Sequence, residues 1–479
     1  MIFKTKDKSD FSQGSIPSNI LRIGLPIMVA EFVNVFYNLI DRMYIGHIKG
    51  IGTSALSGVG LCLPLITIIS GFANLFATGG APLFSIARGR KESVTAQKLL
   101  NTSFSMLLLT GVALSTVLLL FLKPILFLIG ADAETFPFAY GYFIIYGFGT
   151  VFSMISLGMN AFINSQGFSG IGMGTVLIGA VLNLVLDPIF IFALDMGVQG
   201  AAIATVISQF FSAAWVLRFL LGKKAIFKYN RFEIDPACAR RIVSLGIAGF
   251  AFKITTGLAQ AVSNAMLKLF GAGLSTLYVG AMSIINSLRS VSNQPIFAIS
   301  HGSQPIISFN YGAKQYDRVI DSIKFVTFAT LLYNFGSFLL LQCATVPLIR
   351  VFSQDTELIH VAKRCIQIYF GAYVFMALMQ TGQSTFVALN MPKHALFFSI
   401  FRKIILIIPL TLILPRTRFG VDGVFYAELF SEVIGASACY ITMLSTVLPL
   451  IKREKQRELD RQADPHDLLS KPVIPDEKG

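Results

Sequence analysis

The chain has 479 residues, 54% of them hydrophobic and only 13% charged, with a mean hydropathy of +0.69, whereas soluble domains carry about 25% charged residues. That deficit, spread over many apolar runs near twenty residues long, excludes a soluble globular protein and predicts an all-α integral membrane protein. The net charge of +14 does not point to nucleic acid, because the bases gather at the chain ends and in alternate loops and form no basic domain.

A transmembrane barrel would show short strands of alternating polarity, and none are seen. Residues 1–17 read as a short polar tail (Lys4, Lys6, Asp7, Lys8, Asp10). Twelve apolar runs follow, centred near Asn34, Ile68, Leu109, Gly147, Leu182, Ile207, Leu258, Ser290, Leu331, Phe375, Leu406 and Ala436. The first holds Glu31 and lacks a small-residue cleavage pattern, so no removed signal peptide is implied. The runs divide into an N-terminal six-helix lobe over 18–220 and a C-terminal lobe over 242–450. A basic linker over 221–241 joins them, and residues 451–479 read as a second polar tail.

Charge in the loops sets the orientation. Arg88, Arg90, Lys91 and Lys98 follow the second run, Lys223, Lys224, Lys228, Arg231, Arg240 and Arg241 the sixth, and Lys314, Arg318 and Lys324 the eighth. Opposite loops hold fewer, such as Lys49 and Lys123, although Arg350, Lys363, Arg364, Arg416 and Arg418 weaken the contrast. Both termini are therefore expected in the cytoplasm, with the chain a multi-pass protein of the cell membrane.

The sequence also repeats. Gly24 in RIGLP matches Gly246 in SLGIA, Pro82 matches Pro305, Gly89 matches Gly312, and GVQG at 197–200 matches GVDG at 420–423, all 222 or 223 positions apart. Six spans per repeat is an even number, so the lobes are parallel and related by a pseudo-two-fold along the membrane normal. The cleft between two such lobes is the usual place for a transported substrate.

Two runs carry carboxylates where lipid would exclude them. The fifth holds Asn183 and, four residues on, Asp187, both on one helical face. The first presents Glu31, Asn34, Tyr37, Asn38 and Asp41 as a polar stripe and contains Pro26, whose missing donor permits a bend. Such a stripe can serve packing alone, but intramembrane acids are functional by default. Both helices run outward. Asp41 and Asp187 then lie roughly 25–30 Å up, and Thr205 of the sixth run reaches a similar level. Asp41, Tyr37, Asn183, Asp187 and Thr205 are expected to form one cluster.

These residues carry a resemblance. LP (25–26), FYNLID (36–41), NLVLDPIFIF (183–192), GAAIAT (200–205) and QPIISFNYGAK (304–314) are similar to the multidrug and toxic compound extrusion (MATE) family, nearest its DinF-like branch, over nearly the whole chain. The resemblance implies a twelve-helix, two-lobe antiporter exporting organic compounds against a proton or sodium gradient. It implies that Asp41 and Asp187, with Tyr37, Asn183 and Thr205, form the cation site, and that Pro26 bends the first helix. Arg42, beside Asp41, departs from many relatives; about 100° round the helix, it is expected to snorkel outward. Glu31 adds a second acid about 15 Å deeper. A sister branch binds sodium through acids in the seventh and tenth spans. Here those spans offer Lys253, Gln260, Asn264, Lys268, Gln380 and Gln383, which disfavours that mechanism.

In the second lobe Glu428 and Glu432 share one face of the twelfth run, with Arg402, Lys403 or Lys253 as expected partners, in a structural or a second functional role. Glu428 occupies the repeat position of Thr205, while Asp187 maps to Leu410, so the cation site is not duplicated. The coupling ion is a proton or sodium, the latter held by the oxygens of Asp41, Asn183 and Asp187. No other cofactor is expected. Partners are organic, cationic amphipathic compounds and membrane lipids, not nucleic acid, and the chain is expected to act as a monomer.

Two rivals were weighed. A lipid-linked saccharide flippase of similar architecture would want a basic cavity. A membrane enzyme would need a catalytic constellation, and His47, His301, His360, His394 and His466 are isolated. The five cysteines show no metal or redox spacing and read as packing residues.

Overall fold

The computed structural model describes residues 10–48 and 52–463. Lys4, Lys6, Asp7, Lys8, Lys49 and His466 lie outside them, as does the end of the C-terminal tail.

Each apolar run becomes a long helix. In chain order these are α1 (Ile16–Gly46), α2 (Gly52–Gly89), α3 (Ser93–Leu120), α4 (Phe136–Ser165), α5 (Ser169–Pro188, extended by a π turn at Ile189–Ala193) and α6 (Gly197–Leu221). The second set is α7 (Pro236–Phe270), α8 (Ser275–Gly312), α9 (Tyr316–Cys343), α10 (Thr356–Tyr369 bent into Tyr373–Ala388), α11 (Pro392–Arg416) and α12 (Gly423–Ala463). Among the described residues ten helices are long and apolar enough to cross a membrane, and α10, bent by 44°, makes eleven. α8 has 38 residues but carries Asn286, Arg289, Asn293, Gln294, His301 and Gln304, groups that require protein around them within a bilayer.

The backbone repeats as the sequence does. Left-handed residues occur in pairs 223 positions apart, Lys91 with Lys314, Gly167 with Asn390 and Gly197 with Gly420. Short helices at Leu122–Leu128 and Thr345–Arg350 sit at the same offset. The lobes meet through glycines that obey this symmetry. A Cβ on Gly246 of α7 would stand 2.0 Å from the Leu75 carbonyl oxygen of α2, and one on Gly24 of α1 would stand 3.2 Å from the Ala298 oxygen of α8. Nearer the chain termini, Gly89 faces the Phe309 oxygen at 2.0 Å and Gly312 the Ile86 oxygen at 2.1 Å. Any side chain there would push the backbones apart.

This end of the bundle differs from the expected free tails. Phe11 is fully buried, and the Arg88 guanidinium lies 5.9 Å from its ring and 5.5 Å from that of Phe309. Arg318 donates to the carbonyls of Phe11 (3.0 Å) and Gly14 (2.9 Å), and Asn310 donates to Phe11 at 3.2 Å. Residues 10–15 are thus fixed by bases of both lobes. α12 continues to Ala463, where Glu458 accepts from Lys314 at 2.8 Å and Lys455 donates to Asp317 at 2.7 Å.

The linker is also packed. Gln166 accepts from the Ile226 and Phe227 amides, both at 2.9 Å, and Tyr229 lies 4.2 Å from the Phe104 ring. Asp235 caps α7 by accepting from the Cys238 amide at 2.9 Å. That bond, with the Lys98 ammonium, holds its carboxyl below the usual carboxylate range.

Candidate functional site

α5 shows how the fold sorts its side chains. Val181, Leu184 and Val185 are exposed on the lipid face, whereas Ala180, Asn183 and Asp187 are buried, as 3.6 residues per turn requires. Pro188 has no amide to donate to the carbonyl of residue 184, and the helix opens into the wide turn at Ile189–Ala193. Gly200 of α6 lets that turn come close, for a Cβ there would stand 2.6 Å from the Phe190 oxygen. α6 is thereby brought alongside the buried face of α5.

Asp187 is 0% exposed, Asn183 1% and Thr205 3%. The Asn183 amide donates to the Asp187 carboxyl at 3.2 Å and to the Thr205 hydroxyl at 3.3 Å, while Thr205 itself donates to the Ala201 carbonyl at 2.9 Å. From α1, Asp41 comes close enough to Asp187 for the two to interact electrostatically, and Tyr37 stands beside Thr205. The structure therefore brings Asp41, Tyr37, Asn183, Asp187 and Thr205 into one pocket. Two carboxyl groups this close cannot both be bare anions; a proton or a cation must lie between them.

Asp41 Oδ1, Asp187 Oδ2 and Asn183 Oδ1 are buried and have no hydrogen-bond partner among the described residues, an arrangement that is costly unless another donor or a positive ion faces them. Hard oxygen ligands of this kind suit a proton or sodium.

The other candidates separate. Asn38 is exposed and donates along its own helix to the Asn34 carbonyl at 2.6 Å. Glu31 lies within electrostatic reach of Lys253 on α7, so that lysine answers Glu31 and not the glutamates of α12. Arg42 is exposed. Pro26 is inside α1, and the Arg22 carbonyl, deprived of its helix donor, accepts from the Ser169 hydroxyl of α5 at 3.0 Å.

Sequence reasoning missed two members of the pocket. Tyr142 and Tyr146 of α4, each 4% exposed, stand beside Tyr37, and Tyr142 also faces Asp41. Their spacing of four residues was the available signal, masked because tyrosines are ordinary in apolar helices.

In the second lobe Arg402 pairs with Glu432 and, at 3.3 Å, with Glu428. Lys403 lies 3.7 Å and Arg289 4.0 Å from the same Glu428 oxygen. Arg289, on α8, was not foreseen; it also donates to the Tyr369 hydroxyl at 2.7 Å.

A two-lobe bundle of long apolar helices with ionisable groups in its interior defines a polytopic membrane transporter. The MatE family model matches residues 26–189 and again 253–413, once per lobe, and the chain belongs to that family. It is 24% identical over 436 residues to the multidrug export protein MepA of Staphylococcus haemolyticus, covering 89% of this chain and 93% of that one. It is 25% identical over 446 residues to the FAD transporter of Shewanella oneidensis, covering 91% and 96%. The fold is similar to a MATE crystal structure in the bent conformation, with a TM-score of 0.87 at 19% identity over 94% of this chain and all of that one. These matches do not support the flippase alternative.

Proposed function

We propose that the protein is a secondary antiporter of the cell membrane, exporting cationic amphipathic compounds in exchange for protons. In this reading the pocket at Asp41 and Asp187 is the coupling site, and both chain termini are cytoplasmic. The observation that carries it is the approach of two acids from separate helices, edged by buried oxygens with no donor among the described residues. The similarity to drug exporters supports the direction of transport.

The cycle follows from charge. With one proton between the two acids the pocket keeps a negative charge that can balance a cationic substrate in the cleft. A second proton makes the pocket neutral and rearranges the hydrogen bonds of Tyr37 and Asn183. α1 then bends at Pro26, where the ladder already lacks one bond, and the lobe cavity shrinks. The substrate loses its counter-charge and leaves outward. In this cycle the close glycine contacts between the lobes at Gly89 and Gly312 belong to the state sealed toward the cytoplasm. Opening that side, and resealing the outer one, completes alternating access.

Sodium is the competing coupling ion, since the same oxygens form a hard-ligand set. Proteoliposomes with pH and sodium gradients imposed separately test the reading. A pH gradient alone should drive uptake of a labelled organic cation. Uptake driven only by sodium would replace the proton, and uptake needing neither would remove the site from the mechanism.

A further inference from the structure

The second lobe contains a buried cluster that the exchange cycle above does not use. Arg289, Arg402 and Lys403 converge on Glu428 and Glu432. Counted in their charged forms, three bases face two acids, one base more than the acids balance. An uncompensated charge there costs several kcal/mol unless it finds a partner.

The geometry shows where the imbalance falls. Arg402 is engaged with both glutamates, and Arg289 has the Tyr369 hydroxyl at 2.7 Å. Lys403 is only 4% exposed, yet its nearest acid oxygen is 3.7 Å away, beyond a good charge-assisted hydrogen bond. Its ammonium lines a cavity of about 20 Å³ shared with Arg289, Glu428, Thr411, Asn286 and Gln260, large enough for one water or an ion of similar size. Thr411 is fully buried and its hydroxyl oxygen has no hydrogen-bond partner among the described residues. A cation short of an acceptor, a hydroxyl able to donate and two side-chain amides all border the same space.

We propose that this cavity is a site for a single monovalent anion, held by Lys403, Arg289 and the Thr411 hydroxyl. The anion is either a free halide or the carboxylate of a transported compound entering past Arg289, whose side chain is 21% exposed. In either case it balances the extra base.

The test is equilibrium binding of radiolabelled chloride to the full-length protein, purified in detergent with sulfate, a divalent anion, as the only other anion. Saturable binding of one chloride per chain is expected, competed by acetate. Thr411→Val, which alters neither charge nor volume greatly, should weaken it about tenfold or more, as loss of a hydrogen bond to a charged group does. Lys403→Met should abolish it, and Asp41→Asn, in the other lobe, should leave it unchanged. Binding of labelled acetate without chloride would sustain the site and assign it to substrate carboxylates. Absence of both from protein that unfolds at its normal temperature would overturn the proposal. So would chloride binding that survives Thr411→Val at full affinity, a result that stands even if Lys403→Met fails to fold.

Discussion

The two lobes have one backbone and two kinds of interior. In the first, Asp41 and Asp187 lie together and, among the described residues, neither is ion-paired with a base; Arg42, next to Asp41 in sequence, is exposed and acts on it only through its field. In the second, two acids are held by three bases, and the position of Thr205 has become Glu428. Duplication therefore supplied the scaffold twice, down to matching left-handed residues, while the chemistry diverged. An acid pair without a base is poised to exchange protons, because each proton changes the charge of the pocket. An acid held by several bases is a fixed network, whose removal costs stability.

This contrast predicts different consequences for similar changes. The largest effect on folding should come from Arg402→Met, which removes the one base paired with buried Glu432 among the described residues and costs about 3–5 kcal/mol. Thermal unfolding in detergent would show a sharp fall or failure to purify; a protein of unchanged stability would dissolve the distinction between the lobes. Asp187→Asn should act in the opposite sense, abolishing gradient-driven export with stability intact, because an amide replaces an acid that has no base to lose. Normal drug resistance at normal expression in both Asp187→Asn and Asp41→Asn would break the comparison from the other side.

Smaller effects sharpen it. Gly246→Ala places a Cβ 2.0 Å from the Leu75 oxygen, so the lobes must separate there. Overpacking of this kind costs about 1–3 kcal/mol and should be charged to the state with the termini side closed, visible as faster labelling of cysteines introduced on the termini side of the cleft. Pro26→Ala restores an amide to α1 and should slow turnover while leaving substrate affinity nearly unchanged, read from separate binding and flux measurements. The smallest concerns Asp235, whose depressed carboxyl stabilises the α7 cap at neutral pH. That contribution is present above the ordinary carboxylate range and is lost as pH falls through its depressed value, so Asp235→Asn should flatten the acid limb of thermal stability.

Much of this was legible in the sequence because a membrane imposes strict rules on it. Twelve apolar runs became twelve helices, and the 223-residue spacing reappears in the backbone. Asn183 and Asp187 were readable because a four-residue interval on a helix guarantees a common face. Asp41 could be paired with them by counting depth. Other features depended on contacts between distant segments. Phe11 looked like tail sequence and is buried only because Arg88, Arg318 and Asn310 reach it from both lobes. The extension of α12 to Ala463 depends on Lys314 and Asp317 waiting on the neighbouring loop and helix. Arg289 escaped notice because the glutamates it faces are more than a hundred residues away, and local spacing carries no trace of that approach.

Flux in proteoliposomes under an imposed pH gradient, compared between the wild type and Asp187→Asn, bears on the proposed coupling site most directly. The wild type should accumulate a labelled organic cation and dissipate the gradient in step, while the variant should do neither. Equal accumulation in the two, with sodium absent from both sides, would mean that the energy of transport enters elsewhere.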